Sequence, residues 1–313
     1  MFYKKLNLLV FLSMIFINYV SLNAEIQQNS NQTTNLSITT ETQTSVQEQI
    51  ITTQTPQVTI TTQAPQIIQE IKPEPVFFTG PIAKRILDKG KIIVGMEPAY
   101  PPFEYKEPLG NIVGFDVDIA SELAKAMNVS VEFKEYSWNE LIPALNNDEI
   151  DIIISGITKT PQRQLLVDFS ESYYKTGQVV VVSKKLKNIK NKDDLNKKNI
   201  KIGTQKDTTG ETALKENFPQ ANIKLYNDID SCAVDLIKNK IDAFVYDKPL
   251  AEIFVETFKD KIFIPIEQIT TEEYCFAIKK GDDNFIKWLN DFINKLKENK
   301  TYDEFYKKWF TKK

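Results

Sequence analysis

Between residue 82 and the C-terminus the apolar positions follow two alternating rhythms. Short unbroken runs mark buried strands, and spacings of three and four mark helices with one apolar face. Lys91-Ile92-Ile93-Val94-Gly95 is the first such run. Over 116–127, Ile119, Ala120, Leu123, Ala124 and Met127 form one stripe, which predicts an amphipathic helix. Val129, Val131 and Phe133 alternate with Ser130 and Glu132, the pattern of a half-buried strand. Leu141, Ile142 and Leu145 supply another helix face, and Ile150-Asp151-Ile152-Ile153-Ile154 another buried strand. The order then starts again, with strands at 200–203, 223–225 and 241–245, a helix at 209–217, and a helix at 232–237 whose inward set is Ala233, Leu236 and Ile237. Two β-α-β-α-β units predict an α/β protein of two similar lobes, each an open, mostly parallel sheet flanked by helices. Ligands of such sheets bind beyond the carboxyl ends of the strands, and a cleft between lobes is a natural small-molecule site.

Residues 1–78 follow neither rhythm. Lys4 and Lys5 precede an apolar stretch from Leu6 to Val20, and Ser21-Leu22-Asn23-Ala24 offers a cleavage site, so residues 1–24 read as an export signal. An uncleaved anchor is the rival reading. The apolar stretch is short against the ~20 residues a spanning helix needs, and Asn7 and Asn18 interrupt it. No cysteine lies near it to carry a lipid, which favours a periplasmic location. Residues 25–78 are rich in Thr and Gln, with neither glycine nor an aromatic residue between Ala24 and Val76. Such a segment buries too little apolar surface to offset its ordering entropy, and reads as a disordered linker.

Composition narrows the chemistry. The 313 residues carry 39 basic and 42 acidic side chains, a balance without the basic excess of a nucleic-acid binder. The absence of histidine removes the usual general base, zinc ligand and triad member together. The two cysteines, Cys232 and Cys275, are either core thiols or one disulfide. No cofactor or metal is expected.

The residues at the strand ends carry the remaining information. The strand ending at Ile154 runs into Ser155-Gly156-Ile157-Thr158-Lys159-Thr160-Pro161-Gln162-Arg163. Gly156 permits close backbone approach, Thr160 can cap a helix and Pro161 suits its first position. Arg163 then lies in the first turn, where the dipole disfavours a cation unless an anion sits between them, and arginine matches a carboxylate with two parallel hydrogen bonds. An exposed arginine on a solvated helix is the plainer alternative. In the second unit, Thr208 and Thr209 either cap the helix or offer hydroxyls to a ligand. Asp247 either accepts an ammonium or forms a surface salt bridge. Tyr100, in a proline-fixed loop, and Trp138, opening a helix, are mouth aromatics or core. Together these residues form the inventory for a zwitterion.

The motifs Ala99-Tyr100-Pro101-Pro102-Phe103-Glu104, Val113-Gly114-Phe115-Asp116-Val117-Asp118, Leu141-Ile142-Pro143-Ala144-Leu145, Ser155-Gly156-Ile157-Thr158 with Arg163, Val167-Asp168-Phe169-Ser170, and Thr301-Tyr302 through Trp309-Phe310 occur in this order. In them the chain resembles the periplasmic solute-binding proteins of polar amino-acid ABC importers, over residues 83–310. The resemblance implies a two-lobed periplasmic-binding-protein fold (type II) that closes like a flytrap, a free amino acid as ligand, a membrane permease as partner and a monomeric state. It implies lobe 1 at 79–172 and 277–313, lobe 2 at 178–271, and hinges at 173–177 and 272–276. Arg163 and Thr158 match carboxylate binders, with Ser155 in the same motif. Gly156 and Asp247 match ammonium acceptors, and Tyr100 and Trp138 match aromatics bracketing the side chain. Glu97 matches an acidic position at the side-chain end, and Gln205 and Thr209 match second-lobe contacts. Asp207 departs from the pattern, which usually has a small residue there. Its carboxylate, with the aromatic pair, favours arginine, lysine or histidine over glutamine.

Overall fold

The computed structural model describes residues 80–186 and 188–311. The export signal at 1–24 and the linker at 25–78 lie outside the described residues.

Helix α1 (Pro81–Lys89) has proline at its start, where the missing N–H is no loss, and ends on Gly90 in the left-handed conformation (φ 64°). The chain continues through β1 (Lys91–Met96), a small three-stranded antiparallel sheet of β2 (Ala99–Tyr100), β3 (Glu104–Lys106) and β4 (Ile112–Val113), helix α2 (Phe115–Ala126), β5 (Ser130–Glu135), a 3-10 turn at Trp138–Glu140, α3 (Leu141–Asn146) and β6 (Ile152–Ile153). The one-turn helix α4 (Pro161–Gln164) leads into the long strand β7 (Val167–Thr176). Gly177 alone separates β7 from β8 (Gln178–Ser183), which opens the second lobe. There follow β9 (Lys201–Gln205), α5 (Thr209–Asn217), β10 (Asn222–Tyr226), α6 (Ile229–Ile237), β11 (Ala243–Asp247), α7 (Lys248–Thr257) and β12 (Ile262–Phe263). The chain returns along β13 (Glu272–Lys279) and ends in α8 (Asp283–Glu298) and α9 (Thr301–Phe310), which pack on β7 and α2 of the first lobe.

Each lobe is built on a five-stranded sheet, in the order β5-β1-β6-β13-β7 and β10-β9-β11-β8-β12. In the first, β13 runs against its neighbours β6 and β7, and the other strands share one direction. In the second, β8 plays that part between β11 and β12. The mostly parallel two-lobed α/β fold expected from the alternating pattern is therefore observed, with one reversed strand per sheet at each crossing.

Alternation along the strands explains the layers. Ile92, Val94, Ile152 and Ile154 point into an apolar cluster with α2 and α8, and Ile93 and Ile153 into a second cluster with Leu141 and Leu145 of α3. Val179 and Val181 join the first cluster, while Val180 and Val182 meet Leu214 of α5 on the other face. The first cluster is continuous from lobe to lobe through Tyr100, Tyr246 and Tyr274. The strand expected at 150–154 is narrower than its apolar run, because Asp151, fully buried, uses its carboxylate to accept the Ile93 N–H (2.9 Å) and to hold Arg85 (2.8 Å). Both cysteines are buried free thiols, the core reading of the two offered above. Gly177 is dictated by close approach, since a Cβ there would lie 2.0 Å from the Thr270 carbonyl oxygen.

Candidate functional site

The carboxyl ends of β1, β6, β9 and β11 converge on one cleft between the lobes. Glu97, Tyr100, Trp138, Ser155, Gly156, Thr158, Arg163, Gln205, Thr208, Thr209 and Asp247 all line it, together with Glu104 and Tyr246, which sequence reasoning missed.

Arg163 sits at one end. Its Nη1 donates to the Thr158 carbonyl at 2.9 Å, and its guanidinium lies over the Trp138 ring, 4.9 Å from the centroid. Burial lowers its pKa, opposed by the charges of Glu272 and Asp247. The helix start beside it offers less than expected. α4 is a single turn, and the Arg163 N–H is taken by the Thr160 hydroxyl (3.2 Å), so the guanidinium rather than a bare helix end supplies the positive pole.

Asp247 ends β11 facing Arg163. Its Oδ1 accepts from Tyr274 Oη at 2.6 Å and from Gln178 Nε2 at 2.8 Å. Because Tyr274 spends its proton there, Tyr100 donates in the 2.5 Å bond between the two phenols. Burial, then the charge of Glu272, pushes the Asp247 carboxyl up to about 7. Tyr100 stacks on Phe103 with centroids 5.0 Å apart and stands edge-on to Tyr246.

The floor is the loop from Ser155 to Thr158, pinned to β13 by bonds from Cys275 N to Ile157 O (3.1 Å) and Lys159 N to Glu273 O (3.2 Å). Gly156 adopts φ 54°, and a Cβ there would press to 2.6 Å from the Tyr100 ring. Its N–H donates to Asp116 Oδ2 at 2.9 Å. The Ser155 hydroxyl is spent within the protein, donating to Glu104 Oε1 (2.5 Å) and accepting from Glu97 N (3.0 Å). Glu104 and Asp116 are both fully buried. Burial and the neighbouring Asp116 charge push the Glu104 carboxyl well above the usual range, and burial raises Asp116 to about 6.

The part of the cleft around Glu97 is acidic. Glu97 Oε1 accepts from Trp138 N (3.2 Å) and Gln205 Nε2 (3.4 Å), and its pKa is raised by burial and by the nearby charges of Asp228 and Asp230. Burial and Asp228 push Asp230 up to about 6. The carboxylate expected from Asp207 does not belong to this part. Asp207 is exposed at φ 61°, and its backbone carbonyl faces the cleft, accepting from Trp138 Nε1 at 2.8 Å. Of the two readings of Thr208, cap or ligand contact, its hydroxyl takes the cap, accepting from Glu211 N (3.3 Å) and donating to Gln205 O (2.7 Å).

Three residues behind the lining were also missed. Glu272 accepts hydroxyl protons from Thr158 and Thr209, both at 2.8 Å, and Tyr274 and Gln178 orient Asp247. They belong to the crossing strands β13 and β8, where no local motif marks them. Among the described residues no helix is long and apolar enough to cross a membrane, and no group of three or more His, Cys, Asp or Glu could hold a metal ion.

Residues 92–312 match the model of the bacterial extracellular solute-binding proteins, family 3. The probable histidine-binding protein of Neisseria gonorrhoeae is 36% identical over 228 residues, covering 71% of this chain and 84% of that protein. The arginine-binding extracellular protein ArtP of Bacillus subtilis is 34% identical over 226 residues, covering 71% of this chain and 87% of its own length. The solved structure of an ancestral arginine-binding protein bound to arginine has a TM-score of 0.67 at 35% identity, covering 71% of this chain and 99% of that one. With two lobes meeting over a cleft built from strand ends, the chain belongs to the bacterial extracellular solute-binding proteins, family 3.

Proposed function

We propose that this protein captures a free polar or basic amino acid outside the cytoplasm, closing its lobes around it and delivering it to an ABC permease. The carrying observation is the polarity of the cleft. Arg163 and Asp247 face each other at one end, a cation for a carboxylate and a carboxylate for an ammonium. The other end gathers Glu97 with Asp228 and Asp230 around the place a side chain would reach. Arg163 is the one cation in the lining among the described residues, against the carboxyls of Glu97 and Asp247, which favours a ligand with a positive side chain. Relatives named for histidine and arginine support the same ligand class.

Closure follows because the lobes contribute different contacts. Trp138, Glu97 and Arg163 come from the first, and Gln205, Thr209 and Asp247 from the second, so only the closed form makes all of them. The flexing points in this reading are Gly177 and the start of β13. The export signal and linker fit a periplasmic protein held near its importer, acting as a monomer. The function proposed is binding rather than catalysis, because the relatives it rests on are named as amino-acid-binding proteins.

Thermal-shift screening of the purified protein against the twenty amino acids tests this. A basic amino acid at 100-fold excess over its dissociation constant should stabilise by ~2.7 kcal/mol. No shift with any amino acid rejects the proposal.

A further inference from the structure

A hydroxyl has one proton to give. Thr158, in the floor loop of the first lobe, gives its proton to Glu272 Oε2 at 2.8 Å, and Thr209, at the start of α5 in the second lobe, gives its own to the same oxygen at 2.8 Å. Thr270 donates to the other oxygen, Oε1, at 2.9 Å. Glu272 is only 7% exposed, and its charge acts on the Arg163 guanidinium more strongly than that of Asp247. A protein carboxylate thus already occupies the hydroxyl donors that a ligand carboxylate beside Arg163 would use. It is held by one donor from each lobe.

Resting on the amino-acid reading above, we infer that Glu272 is a resident stand-in for the ligand's carboxylate, which an incoming amino acid must displace from the Thr158 and Thr209 hydroxyls. Binding is then an exchange of one carboxylate for another between the same donors. The exchange has two consequences. The two lobes are bridged before any ligand arrives, and the affinity for the ligand is lowered by what Glu272 gains from the two hydroxyls and the guanidinium. Geometry makes this exchange local. Glu272 is the first residue of β13, paired with Thr176 at the end of β7, so its side chain can swing out while the strand stays paired.

The test compares wild-type protein with Glu272→Gln, which keeps the shape and removes the charge, by calorimetric titration with L-arginine and L-lysine and with argininamide and lysinamide. A charge-assisted hydrogen bond exceeds a neutral one, so removing the competitor should tighten the two carboxylate ligands about tenfold or more. The amides carry no carboxylate to inherit the donors. Their affinity should stay level or fall as a negative charge leaves the cleft. Glu272→Asp, one methylene too short to reach both hydroxyls, should give a smaller gain for the carboxylate ligands. It also serves as the reading variant should the glutamine protein fail to fold. Unchanged or weaker binding of arginine and lysine by a folded variant, with wild type binding them, overturns the stand-in alone. Absence of arginine and lysine binding by wild type and both variants overturns the basic-ligand reading on which the stand-in rests, together with it.

Discussion

Because burial and the charge of Glu272 hold the Asp247 carboxyl at about 7, a ligand that places its ammonium on that group must displace a proton at any lower pH. Affinity then scales with the ionised fraction of the free protein. Between pH 8 and pH 5 that fraction falls about 100-fold, so binding should weaken by roughly 2.7 kcal/mol. At pH 6 Asp247 by itself should release about 0.9 proton per ligand bound. L-Arginine is the suitable probe, since none of its groups titrates across this range. Calorimetry at pH 5, 6, 7 and 8, in buffers of different ionisation enthalpy, measures both affinity and proton release. Glu97 and Asp230 at the far end are also raised, so the comparison includes Glu97→Gln. The dependence should persist in Glu97→Gln and flatten in Asp247→Asn. The stability of the unliganded protein has the opposite sign. The folded carboxyl binds its proton more tightly than the usual 3.8, so the contribution of Asp247 to stability is present below about 4 and is lost as pH rises through about 7. An affinity that is flat from pH 5 to 8, or a dependence that survives Asp247→Asn intact, refutes the reasoning.

Arg163→Ala should weaken arginine binding by about 3–5 kcal/mol, because it leaves a ligand carboxylate buried without its partner, and near-normal affinity by calorimetry would remove Arg163 from the site. Trp138→Phe keeps a ring face for Arg163 but loses the donor to the Asp207 carbonyl across the cleft. It should cost about 1 kcal/mol of affinity with little change in unliganded Tm, read by titration and thermal melting. Arginine should bind at least about tenfold tighter than citrulline, its neutral isostere, and Glu97→Gln should narrow that gap; equal affinities would place no charge discrimination at this end.

Legibility in the sequence divided along the kind of element that carries each residue. Glu97 and Gly156 follow, and Gln205 and Asp247 end, strands of a repeated β-α-β order, and that order places strand ends at the cleft before any side chain is considered. Glu272 and Glu273 are adjacent and chemically identical, yet Glu272 is buried opposite Thr176 and Glu273 is exposed opposite Lys175. Only the pairing register of β13 against β7 separates them, and register belongs to strands about a hundred positions apart in the chain. The weak points of the sequence reading have the same origin. A helix start at Pro161 was legible but its length was not, and Asp207 was correctly placed beside the cleft while its backbone conformation turned the carbonyl, not the carboxylate, towards Trp138.

The electrostatics of the closed cleft then carry a further step. Glu97, Asp230 and Asp247 are each raised from their ordinary values, with burial the first cause and a neighbouring carboxylate contributing. A set of carboxyls pushed up together is poised to ionise when cations arrive, because each new positive charge lowers every pKa in the group. In the pose proposed above, a basic amino acid would bring two, its ammonium near Asp247 and its side chain near Glu97, against a single carboxylate that would go to Arg163. A neutral side chain brings only the first, and leaves the far end protonated or paying desolvation without a partner. On the proposed placement of the ligand, the unliganded arrangement of charges would favour basic over neutral ligands through the energy of the protein's own carboxyls, before any direct contact with the side chain is counted.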